Sequence, residues 1–464
     1  MSTQRQTTIS PVDGSVYVER PYATDAEIDT ALTRAASAQR VWAALPIEKR
    51  AGICHAAVDV FVTHKSRHAE ELAWQMGRPV RSGGGEVGGF EERARYMIDI
   101  AEETLRPIDV GAKEGFVRYI RREPLGVVLT VAPWNFPYLT AVNSVVPALM
   151  AGNAVILKHA SQTPLCAERM VEAFRETDLP EGVFQFLHLT HEAAAKAIRS
   201  PLVEHVAFTG SVPAGAQIEE AAAGRFMGVG LELGGKDPAY VRPDVNIEHA
   251  VENLTDGAFF NSGQSCCGIE RIYVHADVYD RFVEGLVETV LQYRLGNPLD
   301  ESTTLGPMVK TSAADFVRGQ IEEAVRQGAR PLIDSARFPQ SKAGTPYLAP
   351  QVLVDVDHSM RVMTEESFGP VVGVMKVDSD EHAIELMNDS EFGLTASVWT
   401  TDLDRAVAIG NRVETGTWFM NRCDYLDPAL AWTGVKDSGR GCTLSRVGYE
   451  SLTRPKSFHL RTGT

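Results

Sequence analysis

Over residues 126–233 short apolar runs alternate with stretches of helical period, and few folds accommodate that. Strands are predicted at 126–131, 153–158, 183–187, 205–209 and 228–233, and helices at 138–150, 165–176, 191–199 and 214–223. Five strands joined by helical crossovers imply a parallel sheet covered on both faces, with a ligand at the carboxyl ends of its strands. Asn135, Lys158, Gly210, Ser211 and Glu232 stand at or just past those ends. A single Lys or Glu at a strand end is ordinarily just solvated; several polar and glycine positions on one edge call for another reason.

A second α/β region follows Lys236. Strands are expected near 270–275, 371–376, 395–399 and 416–421, and helices near 247–260, 278–293, 312–327, 381–388 and 402–412. Upstream, 25–77 reads as two amphipathic helices, with Thr24-Asp25-Ala26-Glu27 as N-cap and acidic first turn. Gly83-Gly84-Gly85-Glu86-Val87-Gly88-Gly89 lacks a phosphate loop's Gly-Lys-Ser/Thr ending and has no strand before it, so it reads as a flexible lead-in to a helix starting near Phe90. Residues 116–122 resemble an edge strand. The tail around 454–460 is expected to pair with them across a subunit interface.

At 464 residues the chain exceeds one simple core, so two or three lobes are expected. A net charge of −16 argues against nucleic acid or an anionic membrane as partner. No apolar run reaches the length of a membrane span, and no signal-peptide core follows Met1-Ser2-Thr3-Gln4-Arg5-Gln6. Cysteines 54, 166, 266, 267, 423 and 442 are scattered, as reduced cytoplasmic thiols are. There is no CxxC pair, and His188, His191 and Glu192 lack HExxH spacing, so no metal is expected.

Cys266 lies in Asn261-Ser262-Gly263-Gln264-Ser265-Cys266-Cys267, a small-residue turn between a helix and a strand. That setting suits a nucleophile, although one cysteine alone reads equally as core. Pro133-Trp134-Asn135-Phe136-Pro137, Leu231-Glu232-Leu233-Gly234-Gly235-Lys236 and Glu365-Glu366-Ser367-Phe368-Gly369-Pro370 accompany it. In that order the four motifs resemble the aldehyde dehydrogenase superfamily over nearly the whole chain. Trp432 to Gly441 matches that family's glycine-rich closing segment.

The resemblance implies two Rossmann-like α/β lobes plus a small β oligomerisation arm. Residues 1–106 and 124–234 would form the dinucleotide-binding domain, 235–446 the catalytic domain, and 107–123 with 447–464 the arm of a homodimer or homotetramer. It implies a catalytic set of Cys266 as nucleophile, Glu232 as water-activating base, Asn135 as oxyanion donor, and Lys158. It places NAD or NADP against Trp134, Lys158, Ser161, Thr209, Gly210 and Ser211. Gly215, Leu233, Gly234, Glu366 and Phe368 complete the cofactor contacts. The Gly-Gln-x-Cys pattern selects Cys266 over Cys267.

Ser161 stands where the family often has an acid that repels a 2′-phosphate, so NADP is expected to be tolerated. Ser367 replaces the usual aliphatic residue, with no predicted consequence. A short aldehyde such as succinate semialdehyde is the expected substrate class, with Arg422 as candidate partner for a carboxylate. A CoA-acylating enzyme and a non-catalytic binding or structural member of the fold are the alternatives; Glu232 argues against the first, and the Cys266, Glu232 and Asn135 set against the second.

Overall fold

Strands Val127–Ala132 and Ala154–His159 are buried at every position, which is why both read as mainly apolar runs, broken only by Thr130 and by Lys158 and His159 at a strand end. They form the middle of a six-stranded sheet, ordered Gly439–Arg440, Gly228–Glu232, Val203–Thr209, Val127–Ala132, Ala154–His159 and Phe184–Phe186. Every pairing is parallel except that of Gly439–Arg440, which returns from late in the chain to run antiparallel to Gly228–Glu232. Alternation along one strand serves both faces. Val128 packs with Val58, Phe90, Val145 and Met170, whereas Val127 and Leu129 pack with Ile28, Leu32, Ile198 and Ile218. The structure, a computed structural model, describes residues 4–462; the extreme ends of the N-terminal stretch and of the arm, 1–3 and 463–464, lie outside the described residues.

The second sheet has seven strands, ordered Arg330–Pro331, Gln351–Val354, Val371–Val377, Ile269–His275, Asp237–Val241, Thr395–Trp399 and Thr417–Met420. Only the first pairing is antiparallel. Asp237–Val241 and Gln351–Val354 were not among the expected strands. Helices Ile247–Phe259 and Tyr279–Val290 cover one face, and Thr311–Arg326, Asp380–Asn388 and Leu403–Gly410 the other. No helix among the described residues is long and apolar enough to cross a membrane.

Three local expectations are corrected. Residues 25–77 form three helices, Asp25–Ala43, Ile47–Thr63 and Lys65–Met76. Leu45-Pro46 marks the first break, but the second falls at His64 with no Gly or Pro to signal it. The glycine-rich stretch is no flexible lead-in, because Val80–Asp99 is one helix running through it. A Cβ on Gly83 would stand 2.8 Å from the Ala69 backbone, and one on Gly89 would stand 2.7 Å from the Leu139 side chain. The glycines let neighbouring helices approach. Finally, the tail strand Thr453–Arg461 pairs antiparallel with Phe116–Pro124 of the same chain, not of another subunit.

Candidate active site

Asn261, Ser262 and Gly263 all have positive φ (53°, 58° and 69°), so the chain turns left-handed three times just before Cys266. Such backbone is uphill for residues with a Cβ and persists only where its surroundings fix it. Here they do. Ser262 Oγ donates to Gly306 O (2.7 Å), Gln264 Nε2 donates to Asn261 O (3.0 Å), and Gln264 Oε1 accepts from Val309 N (2.7 Å). A Cβ on Gly263 would meet Gly369 O at 2.2 Å, so only glycine fits there. Asn261 Nδ2 donates to Asn135 O (3.2 Å) and its Oδ1 accepts from Arg78 Nε (3.2 Å). Arg78 also donates to Asn135 O and pairs with Glu86, and both of those side chains are fully buried. The cysteine turn and the Asn135 turn are thereby tied together through Asn261 of the cysteine motif and through Arg78, which the sequence reading had given no role at the site. The Asn135 side-chain amide makes no hydrogen bond among the described residues, which leaves it available to an outside acceptor.

Cys266, Glu232, Thr209 and Leu233 share a cavity of about 400 Å³ walled by Phe136, Leu139, Phe260, Leu394, Leu426 and Trp432. The two adjacent thiols differ. Cys267 is 4% exposed, donates to Asp424 Oδ1 (2.9 Å), and is held well above the usual thiol range by the Cys266 sulfur and by burial. Asp424, another residue the sequence reading missed, is itself pushed up to about 6 by burial. Both sulfurs line the cavity, but Cys266 is half-buried where Cys267 is almost wholly buried, so Cys266 is the thiol more open to a ligand.

Glu232 ends the strand Gly228–Glu232, and its carboxylate is clasped from both sides. Thr209 Oγ1 donates to Oε2 (3.0 Å) and Thr443 Oγ1 to Oε1 (2.5 Å). Burial raises its pKa above the ordinary carboxylate value, against the lowering effect of those two hydroxyls. A carboxylate tuned upward in this way is a stronger base than an ordinary one.

The expected cofactor residues gather along the carboxyl ends of the first sheet. Lys158, 7% exposed, has no carboxylate within ion-pair distance among the described residues, and burial lowers its pKa to about 8. Ser161 presents an exposed side chain, while its carbonyl is anchored by Thr8 Oγ1 (2.8 Å) and Gln6 Nε2 (3.3 Å) of the N-terminal hairpin. Ser211 precedes the helix Val212–Ala222 without capping it, so first-turn N–H groups stay open to an anion. A Cβ on Gly210 would meet the Phe208 ring, one on Gly215 the Leu233 side chain, and one on Gly234 the Glu366 carboxylate, each within 2.7 Å. Trp134 and Phe368 meet edge to face, 5.5 Å between centroids. Glu366 accepts from Gly235 N (3.0 Å) and is pushed up to about 8 by burial and by Glu270. An unpaired buried ammonium, a desolvated carboxyl and an uncapped helix N-terminus fit a dinucleotide.

Ser367 proves to have a structural consequence after all. Its hydroxyl accepts from Lys236 Nζ (3.0 Å), which also donates to Glu270 Oε2 (2.5 Å), and Glu270 accepts from Ser367 N (2.8 Å) and Phe368 N (2.9 Å). This buried ion pair holds the Glu366–Phe368 turn. Lys236→Met strands a buried carboxylate and is expected to lower the unfolding free energy by about 3–5 kcal/mol, measured by urea denaturation. Lys236→Met/Glu270→Gln is expected to recover part of that loss, because the neutral amide oxygen removes the stranded charge and still accepts from the turn, and an unchanged midpoint in the single variant would contradict the role.

Arg422 is exposed and its guanidinium lies 3.6 Å from the ring centroid of Tyr425, which lines the cavity, while Arg422 itself is not among the lining residues.

The profile of the Aldehyde dehydrogenase family matches residues 1–458. A succinate-semialdehyde dehydrogenase [NADP(+)] of Mycobacterium avium (strain 104) is 34% identical over 453 residues, covering 97% of this chain and 95% of that protein. The crystal structure of succinic semialdehyde dehydrogenase from Streptococcus pyogenes in complex with NADP+ superposes with a TM-score of 0.93 at 29% identity, covering 98% and 100% of the two chains. That of an NAD-dependent aldehyde dehydrogenase from Sinorhizobium meliloti gives 0.95 at 30% identity, covering 99% and 92%.

Proposed function

The chain belongs to the aldehyde dehydrogenase family, and from that membership we propose that it oxidises an aldehyde to the carboxylic acid through a thioester on Cys266, with NAD or NADP as cofactor. The observation that carries the reading is the shared cavity: the accessible thiol and the doubly clasped, up-shifted Glu232 carboxylate face one apolar space.

The Cys266 thiolate attacks the aldehyde carbon and forms the C–S bond of a thiohemiacetal. The oxyanion is held by the free Asn135 amide and the Cys266 N–H, donors whose individual loss typically costs about 2.7–4 kcal/mol of barrier. The bound dinucleotide supplies the hydride acceptor. Trp134, Lys158, Ser161, Thr209, Gly210 and Ser211 would hold it along the first sheet, with Gly215, Leu233, Gly234, Glu366 and Phe368 completing the contacts. Water then attacks the thioester carbon and gives its proton to Glu232, and the C–S bond breaks to release carboxylic acid and thiolate. In this reading the dinucleotide-binding domain is 1–106 with 124–234, and the catalytic domain is 235–446. The enzyme is a cytoplasmic homodimer or homotetramer built through the arm formed by 107–123 and 447–464. Support for the arm comes from its two long antiparallel strands and the half-exposed Val117 and Leu460 on them.

The test assays NAD(P)H formation with a panel of aldehydes, each with NAD or NADP, with and without CoA. Carboxylate is the expected product in both arms, and acyl-CoA formation would favour the acylating alternative. Ser161 leaves no acid to repel a 2′-phosphate, so kcat/KM with NADP is expected to lie within a thousandfold of that with NAD; a larger preference for NAD would refute its part.

A further inference from the structure

Resting on the aldehyde-oxidising reading, we propose that Arg93 and Asn143 form the subsite that recognises the far end of the substrate, and that the aldehyde carries an oxygen acceptor there, a carboxylate or a hydroxyl. Arg93 lies on the helix Val80–Asp99, is 8% exposed and lines the cavity that holds Cys266. Its Nη1 donates to Leu139 O (2.8 Å) and Asn143 Oδ1 (3.2 Å). Its Nε and Nη2 make no hydrogen bond among the described residues, and no carboxylate of those residues lies within ion-pair distance. Asn143, 2% exposed and on the same cavity wall, leaves Nδ2 without a partner among the described residues. Buried donors without acceptors are costly, and both of these belong to one wall of the space beside the nucleophile.

The other charged groups of the cavity are otherwise engaged. Arg78 is neutralised by Glu86, Asp424 accepts from Cys267 and Ser265, Glu92 accepts from Tyr425 (2.6 Å), and Glu232 accepts from its two threonines. Asp256 makes no side-chain hydrogen bond, and burial beside Glu252 raises it toward its neutral form. Arg93 is therefore the one lining cation without an ion-pair partner, and Glu232 reaches it only as a distant charge. Asn143 stands six residues along the helix Pro137–Met150 from its first residue, a rise of about 9 Å. Between them Phe136, Leu139 and Trp432 offer apolar walls to a short chain or a ring.

Two matched series test this: butanal, 4-hydroxybutanal and succinate semialdehyde, and benzaldehyde with its 3-hydroxy and 3-carboxy derivatives. In at least one series an acceptor-bearing aldehyde is expected to exceed the unsubstituted one in kcat/KM by roughly tenfold to a hundredfold, mostly through KM. Arg93→Met and Asn143→Leu are each expected to bring that ratio close to one. Should Arg93→Met fail to fold, Asn143→Asp occupies the guanidinium with an internal carboxylate and removes the same ratio. A carboxylate preference identifies the anion as the partner, and a hydroxyl preference identifies a neutral acceptor. A wild-type ratio below about threefold in both series, or a ratio that survives the substitutions, overturns the subsite. No NAD(P)H with any aldehyde overturns the parent reading as well.

Discussion

Cys266→Ala is expected to lower aldehyde oxidation by at least about ten-thousand-fold and to eliminate the initial burst of NAD(P)H, because the covalent route disappears with the sulfur. Cofactor binding, followed by fluorescence titration, is expected to survive, since the residues assigned to the dinucleotide lie on other elements. Cys267→Ala separates the two adjacent thiols. Cys267 is 4% exposed and donates a hydrogen bond to Asp424, so its removal is expected to cost less than about tenfold. If Cys266→Ala kept an appreciable burst while Cys267→Ala lost it, the assignment of the nucleophile would be reversed.

Glu232→Gln is expected to divide the reaction in two. The burst remains, because attack on the carbonyl does not need this carboxylate, while steady-state turnover falls roughly a thousandfold as thioester hydrolysis loses its base. The pH dependence carries the same signature. Burial raises the Glu232 pKa, and a base works only when deprotonated, so the steady-state rate is expected to climb with pH through a midpoint above the ordinary carboxylate value and to fall as pH drops below it. That acidic limb should vanish in Glu232→Gln. A variant that loses burst and steady state equally would place Glu232 before acylation instead.

The βα alternation over 126–233 was legible because strands buried on both faces are mostly apolar, as Val127–Ala132 and the 154–157 part of Ala154–His159 are. The motif residues were legible because the resemblance fixed their order, and strand ends gave that order a place. Close approach of helices was not. Gly83 and Gly89 look like loop residues in sequence, and only the nearness of Ala69 and Leu139 makes glycine the residue that fits a helix there. The choice between arginines was equally hidden. Arg422 lies between Asn421 and Asp424, both of positive φ, in a turn that leaves it exposed on the Tyr425 ring. Arg93 reaches the cavity by a helix whose partner, Asn143, is fifty positions away. The Lys236–Glu270–Ser367 cluster likewise joins three distant segments, so the odd serine acquired its meaning only from the fold.

The most direct measurement is mass spectrometry of Glu232→Gln mixed with an oxidisable aldehyde and cofactor, quenched in acid within the burst phase. The expected result is one acyl adduct per chain, labile to hydroxylamine and located on Cys266 in the peptide that contains it. A full burst of NAD(P)H with no adduct on that sulfur, or with the acyl group on Cys267, would contradict the thioester mechanism proposed for this cavity.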